Sequence, residues 1–174
     1  LAHSAHCITP YEVESGMLPD NTHIRKGTPE GTTIFRSQVR YMDELVGRII
    51  DTVEEQGLSE ETIIIYTSDN GTTSSAKGKG VEYGVHVPFV LSGAQVNITG
   101  PTDELIDFTD ILPTFAEWAG VELGNAKYDG VSFAPFLRGE SDFTKPVIYS
   151  FPGPVRLIRT KTHLLEAVSP LYNP

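Results

Sequence analysis

The run Ser68-Asp69-Asn70-Gly71 sets a carboxylate beside a side-chain amide, directly after an apolar stretch. Carboxylate and amide oxygens are hard donors that suit Ca²⁺ or Mg²⁺ and argue against zinc. Gly71 lets the backbone turn tightly away from them. Asp, Asn and Gly are also everyday turn formers, so spacing alone favours a plain turn. A second group is Lys77-Gly78-Lys79-Gly80, where two cations among glycines can approach an anion with help from backbone N–H groups. A solvated loop has the same composition. A third is the pair His3 and His6, able to donate a proton to a leaving group or to hold an anion. A zinc pair is an alternative, but no further ligands follow at zinc spacing. Of Asp107, Asp110 and Asp129, Asp110 reads as a helix cap and the other two as loop residues. Asn97-Ile98-Thr99 matches a glycosylation acceptor, which matters only in a eukaryotic secreted protein.

These residues need elements to place them. Phe35, Val39, Met42, Val46, Ile49 and Val53 recur in steps of four and three, which predicts a helix from Thr32 to Gln56, stopped by Gly57. Thr62 to Thr67 is short, β-branched and apolar on both faces, as in a strand of a parallel sheet, so helix, turn and strand suggest a β-α-β repeat. Ligands of open α/β sheets collect beyond the carboxyl ends of strands, where Asp69 and Asn70 fall. Val87–Leu91 reads as a second strand with Pro88 near its start, and Leu105-Ile106 as a shorter third. A second helix is expected over Asp110–Trp118, stopped by Gly120. Residues 147–151, 155–158 and 163–166 read as an antiparallel meander. Residues 1–31 read as a strand end or loop followed by a long connection.

The chain has 174 residues and a formal net charge of −10, which gives no broad electrostatic reason to bind nucleic acid or anionic lipid. The single cysteine, Cys7, excludes an intrachain disulfide and a cysteine-based zinc cage. No stretch is long and apolar enough to span a bilayer.

Taken in order, the motifs resemble the sulfatase family of the alkaline phosphatase superfamily. The likeness is carried by His3 and His6 before Pro10, the helix Tyr41–Ile50, Ser68–Gly71, the lysine-glycine loop, and Glu82-Tyr83-Gly84-Val85-His86-Val87-Pro88. It continues through Asp110-Ile111-Leu112-Pro113-Thr114, Asp129–Ser132 and Val155–Lys161. The resemblance implies the C-terminal half of a sulfatase-like α/β domain over residues 1–140. That half carries a mixed sheet flanked by helices. The start of a small antiparallel subdomain is implied over 141–174. It further implies that Asp69 and Asn70 are two ligands of a divalent metal, with Ca²⁺ favoured over Mg²⁺, and that Asp69 also helps orient the nucleophile. Lys77, with Lys79 as its alternative, and His6 are implied to hold the sulfate and protonate the leaving oxygen, with His3 on the substrate side. Periplasmic, secreted or lysosome-like surroundings follow from the family alone.

Two departures stand out. The family's Tyr-Glu-Gly-Gly order is altered around Glu82-Tyr83-Gly84, and His86 stands where arginine is common. The formylglycine motif Cys/Ser-x-Pro-x-Arg is missing, since Cys7 is followed by Ile8-Thr9-Pro10-Tyr11. The nucleophile and the first metal-ligating Asp-Asp pair are therefore expected upstream, in an N-terminal half that this chain would need as a partner. The chain alone is expected to be inactive and prone to associate through an open strand edge. The competing readings are a phosphate or phosphonate ester hydrolase of the same superfamily and a truncated binding module without activity.

Overall fold

The computed structural model describes residues 12–13, 16–17, 29–71, 81–125, 127–151 and 155–168. The chain divides into two compact units between Thr62 and Ile63.

The first unit holds a minimal antiparallel pair, β1 (Glu12–Val13) and β2 (Gly16–Met17), and the helix α1 (Pro29–Glu55). The pair was not foreseen, because two-residue strands leave no periodic signal. Along α1, Val39, Met42, Leu45, Val46, Ile50 and Val53 are half-buried, while Arg36, Arg40, Asp43, Glu44, Asp51 and Glu54 are exposed. From Val39 to Val53 the expected stripe is present except at Ile49, which is 47% exposed, and the Phe35 side chain lies outside the described residues. Gly57, at φ +69°, ends the helix as expected. Its N–H reaches Glu54 O at 2.9 Å, and the N–H of Leu58 reaches Val53 O at 2.9 Å. This is the paired arrangement that satisfies the last free carbonyls of a helix.

The second unit begins with β3 (Ile63–Thr67), which pairs with β4 (Phe89–Gly93). The pairing is antiparallel, with Thr67 opposite Phe89 and Ile63 opposite Gly93. Among the described residues β3 has no parallel partner, where a β-α-β repeat was expected. An apolar run on both faces tells that a strand is covered, not in which direction its neighbour runs. Here the chain returns through the short helix α2 (Glu82–Val85) and lays β4 back along β3. Pro88 immediately precedes β4, and Leu105-Ile106 forms no strand. On β4, Phe89 and Leu91 face the core while Val90 is 58% exposed.

The core centres on α4 (Ala134–Leu137) and its flanks, where Phe133, Leu137 and Phe143 are buried. The Phe133 ring meets Phe89, Trp118 and Phe143 edge to face at 6.0, 6.2 and 6.3 Å. Such T-shaped contacts align ring edges with the negative ring faces. The helix α3 (Ile111–Trp118) supplies Ile111 and Trp118 to this cluster and is stopped at Gly120, φ +64°. Three short strands, β5 (Ile148–Ser150), β6 (Val155–Arg159) and β7 (Leu164–Val168), form an antiparallel sheet in chain order, as expected for the meander. Leu157 at its centre is 1% exposed.

A 3-10 turn, Phe108–Asp110, leads into α3, and here the expected roles change places. Asp107 is the cap: its Oδ1 accepts from the N–H of Thr109 at 2.8 Å. Asp110 makes no side-chain cap of α3 and is fully buried. Its Oδ2 accepts from the N–H of Asp107 at 2.9 Å, and its Oδ1 accepts from the N–H of Val131 at 2.8 Å. Lys145 Nζ donates to both Asp110 oxygens at 2.9 Å and to Asp107 Oδ2 at 2.6 Å. Burial works to raise the Asp107 carboxyl, but the hydrogen bonds from Lys145 and Thr109 outweigh it and hold the group below its ordinary value. Burial likewise works to lower Lys145, and the two aspartates outweigh it and hold the ammonium above its ordinary value. Gly130 fits against this turn with no room for a side chain, since a Cβ there would lie 1.9 Å from Thr109 O.

Candidate functional site

β3 ends at Thr67, and Ser68, Asp69, Asn70 and Gly71 follow as a bend at its carboxyl end. Asp69 is exposed and Asn70 half-buried. The Asn70 amide nitrogen donates to Gly71 O at 3.1 Å, which ties that nitrogen back and leaves Oδ1 without a described partner. Ser68 Oγ reaches Asn70 O at 3.4 Å. Among the described residues nothing hydrogen-bonds to the Asp69 carboxylate. A carboxylate and an amide oxygen, both without a donor among the described residues, form a donor set that fits Ca²⁺ or Mg²⁺, and Asp69 and Asn70 would hold it. Two ligands are fewer than the six to eight oxygens, roughly, that Ca²⁺ collects. Among the described residues no three His, Cys, Asp or Glu side chains converge on one point.

The backbone of the bend is fixed from behind. The N–H of Gly71 donates to Gly84 O at 3.0 Å, and Gly84 is buried in α2. A Cβ on Gly71 would lie 1.9 Å from Tyr83 O. The altered Glu82-Tyr83-Gly84 order thus still forms the backstop of the bend. Gly71, read as a turning residue, is needed for close approach as well.

His3, His6, Cys7, Lys77 and Lys79 lie outside the described residues. Asp129 is an exposed loop residue, as expected. Asn97 of the acceptor pattern is exposed, and its amide nitrogen donates to Arg138 O at 3.1 Å. The residues missed from sequence are Glu82, Arg159 and Glu166. Glu166 Oε1 accepts from the N–H of Glu82 at 2.7 Å, and Arg159 Nη1 lies 3.7 Å from Glu82 Oε1. No local pattern announces a contact between residues 84 positions apart.

Comparison with known proteins decides what kind of chain carries this bend. The model of the Sulfatase family matches residues 7–121. The chain belongs to the sulfatase family. Human arylsulfatase A is 30% identical over 132 residues, covering 68% of this chain and 26% of that protein. Goat N-acetylglucosamine-6-sulfatase is 30% identical over 129 residues, covering 70% of this chain and 23% of that protein. This sulfatase-family chain therefore spans about a quarter of the length of these relatives. Among solved structures, the phosphonate monoester hydrolase SpPMH from Silicibacter pomeroyi superposes with a TM-score of 0.53 at 20% identity, covering 82% of this chain and 36% of that one. A Bacteroides thetaiotaomicron chain, BT33494S-sulf, superposes with a TM-score of 0.52 at 17% identity, covering 84% of this chain and 41% of that one. At those identities the likeness is one of fold, and it places the chain among mixed α/β sulfatase and phosphonate hydrolase folds. No helix of the described residues is long and apolar enough to cross a membrane.

Proposed function

We propose that this chain is the metal-holding C-terminal part of a sulfuric ester hydrolase. The observation that carries the reading is the state of the bend after β3. Asp69 has no described hydrogen-bond partner, and Asn70 has its nitrogen occupied and its oxygen open. In this reading Asp69 and Asn70 hold a divalent cation, Ca²⁺ before Mg²⁺, and Asp69 also orients the nucleophile. When bound, the cation would polarise a sulfate oxygen as a Lewis acid. Lys77, or Lys79 in its place, and His6 offset the charge that develops on the leaving oxygen, with His3 on the substrate side. The nucleophile, a formylglycine, and the other ligands belong to the N-terminal half expected upstream. The sulfatase-family match and the unpaired second edge of β3 among the described residues support this reading.

The test is hydrolysis of an aryl sulfate by the full-length protein, with Ca²⁺ uptake followed by calorimetry. The reading requires uptake and turnover that both fall in Asp69→Ala and Asn70→Ala. Undiminished uptake in both variants would reject it. Turnover of a phosphonate monoester in preference to the sulfate would move the protein to the rival substrate class, which the same fold serves.

A further inference from the structure

The bend that carries Asp69 and Asn70 is held by α2, and α2 is held in turn by the C-terminal sheet. On one side, the N–H of Gly71 donates to Gly84 O at 3.0 Å, and bend and helix pack so closely that a Cβ on Gly71 would lie 1.9 Å from Tyr83 O. On the other side, the first turn of a helix has N–H groups with no partner inside the helix. The one at Glu82 is taken by Glu166 Oε1 of β7 at 2.7 Å, a charge-assisted hydrogen bond. The Glu82 carboxylate lies 3.7 Å from Arg159 of β6 and 3.4 Å from His86 Nδ1, one turn further along. α2 itself is a single turn of four residues with no side-chain cap of its own, so its placement depends on these outside partners.

We infer that the C-terminal sheet positions the Asp69–Asn70 bend, with Glu166 and Arg159 as positioning residues that act through Glu82. Reading the bend as a metal site rests on the function proposed above; the mechanical link does not.

The experiment is backbone amide hydrogen exchange on the full-length protein, comparing Gly71 with Ala119. Ala119 donates to Phe115 O within α3, away from this chain of contacts. Exchange at Gly71 should rise over Ala119 by about tenfold or more in Glu166→Ala, which loses a charge-assisted hydrogen bond, and by about two- to fivefold in Arg159→Ala, which loses a partly exposed ion pair. Glu166→Gln keeps an acceptor oxygen and should stay near wild type. Glu140→Gln, which loosens a surface pair with Arg138, should change neither amide. Unchanged exchange at Gly71 in both alanine variants, or equal rises at both amides, would overturn the inference. In parallel, the Ca²⁺ dissociation constant should weaken about threefold in Glu166→Ala and recover in Glu166→Gln. A wild-type protein that takes up no Ca²⁺ would reject the metal reading, and the exchange ratio would still decide the mechanical one.

Discussion

Asp69 and Asp110 carry the same side chain in the same unit and live under opposite conditions. Asp110 is fully buried, and both of its oxygens are met by backbone N–H groups and by Lys145. Asp69 is exposed, and no described residue donates to it. A carboxylate with every acceptor site filled has nothing left to offer a ligand. Its worth is structural, since removing one partner strands a charge in a poor dielectric. A carboxylate held by its backbone alone contributes little to stability and keeps its lone pairs for something else. The contrast extends to the supports. The Asp110 cluster locks side chains to one another, whereas the Asp69–Asn70 bend meets α2 through the main chain of Gly71, and the Asp69 carboxylate has no described partner.

The contrast can be broken most sharply by exchanging readouts. On the function proposed above, Asp69→Ala should lower turnover by the full-length protein on the order of a thousandfold, as expected for losing a metal ligand worth several kcal/mol at the transition state. The same variant should move the melting transition by no more than about 0.5 kcal/mol. A large loss of stability without loss of turnover would erase the distinction. Asp110→Ala should do the reverse and cost about 3–5 kcal/mol in a denaturant titration, because Lys145 and two backbone donors lose their acceptor. Gly71→Ala tests the main-chain support, since its new methyl would be driven into Tyr83 O. It should cost about 1–3 kcal/mol and reduce Ca²⁺ uptake as well, as neither aspartate variant does both.

The smallest effect is the acid limb of stability. Asp107 titrates in the fold below its ordinary 3.8, so its stabilisation is complete above that pH and is lost as the pH falls through the lower folded value. Lys145 runs the other way: held above its ordinary 10.5, it stabilises fully below that pH and loses the contribution as the pH rises beyond it. Lys145→Met should therefore flatten both limbs of a plot of melting temperature against pH. An unchanged acid limb would show that Asp107 draws its support from Thr109 alone.

Periodicity and punctuation were enough to read α1, the helix stops at Gly57 and Gly120, the strand ending before Asp69, and the C-terminal meander. Each of these depends on residues within one or two turns of one another. The ordered motifs were enough to indicate the sulfatase family. The direction of β4 along β3 was not legible, because a strand apolar on both faces carries no sign of its partner's orientation. Nor was the exchange of roles between Asp107 and Asp110, which turns on Lys145, 38 and 35 positions away. The link from Glu166 to Glu82 spans 84 positions. By itself the sequence determined α1, β3, α3 and the C-terminal meander, and that a carboxylate and an amide follow a strand. Only the tertiary structure decided which carboxylates are spent on the fold and which is left open, because an acceptor's partners are set by what packing brings within about 3 Å of it.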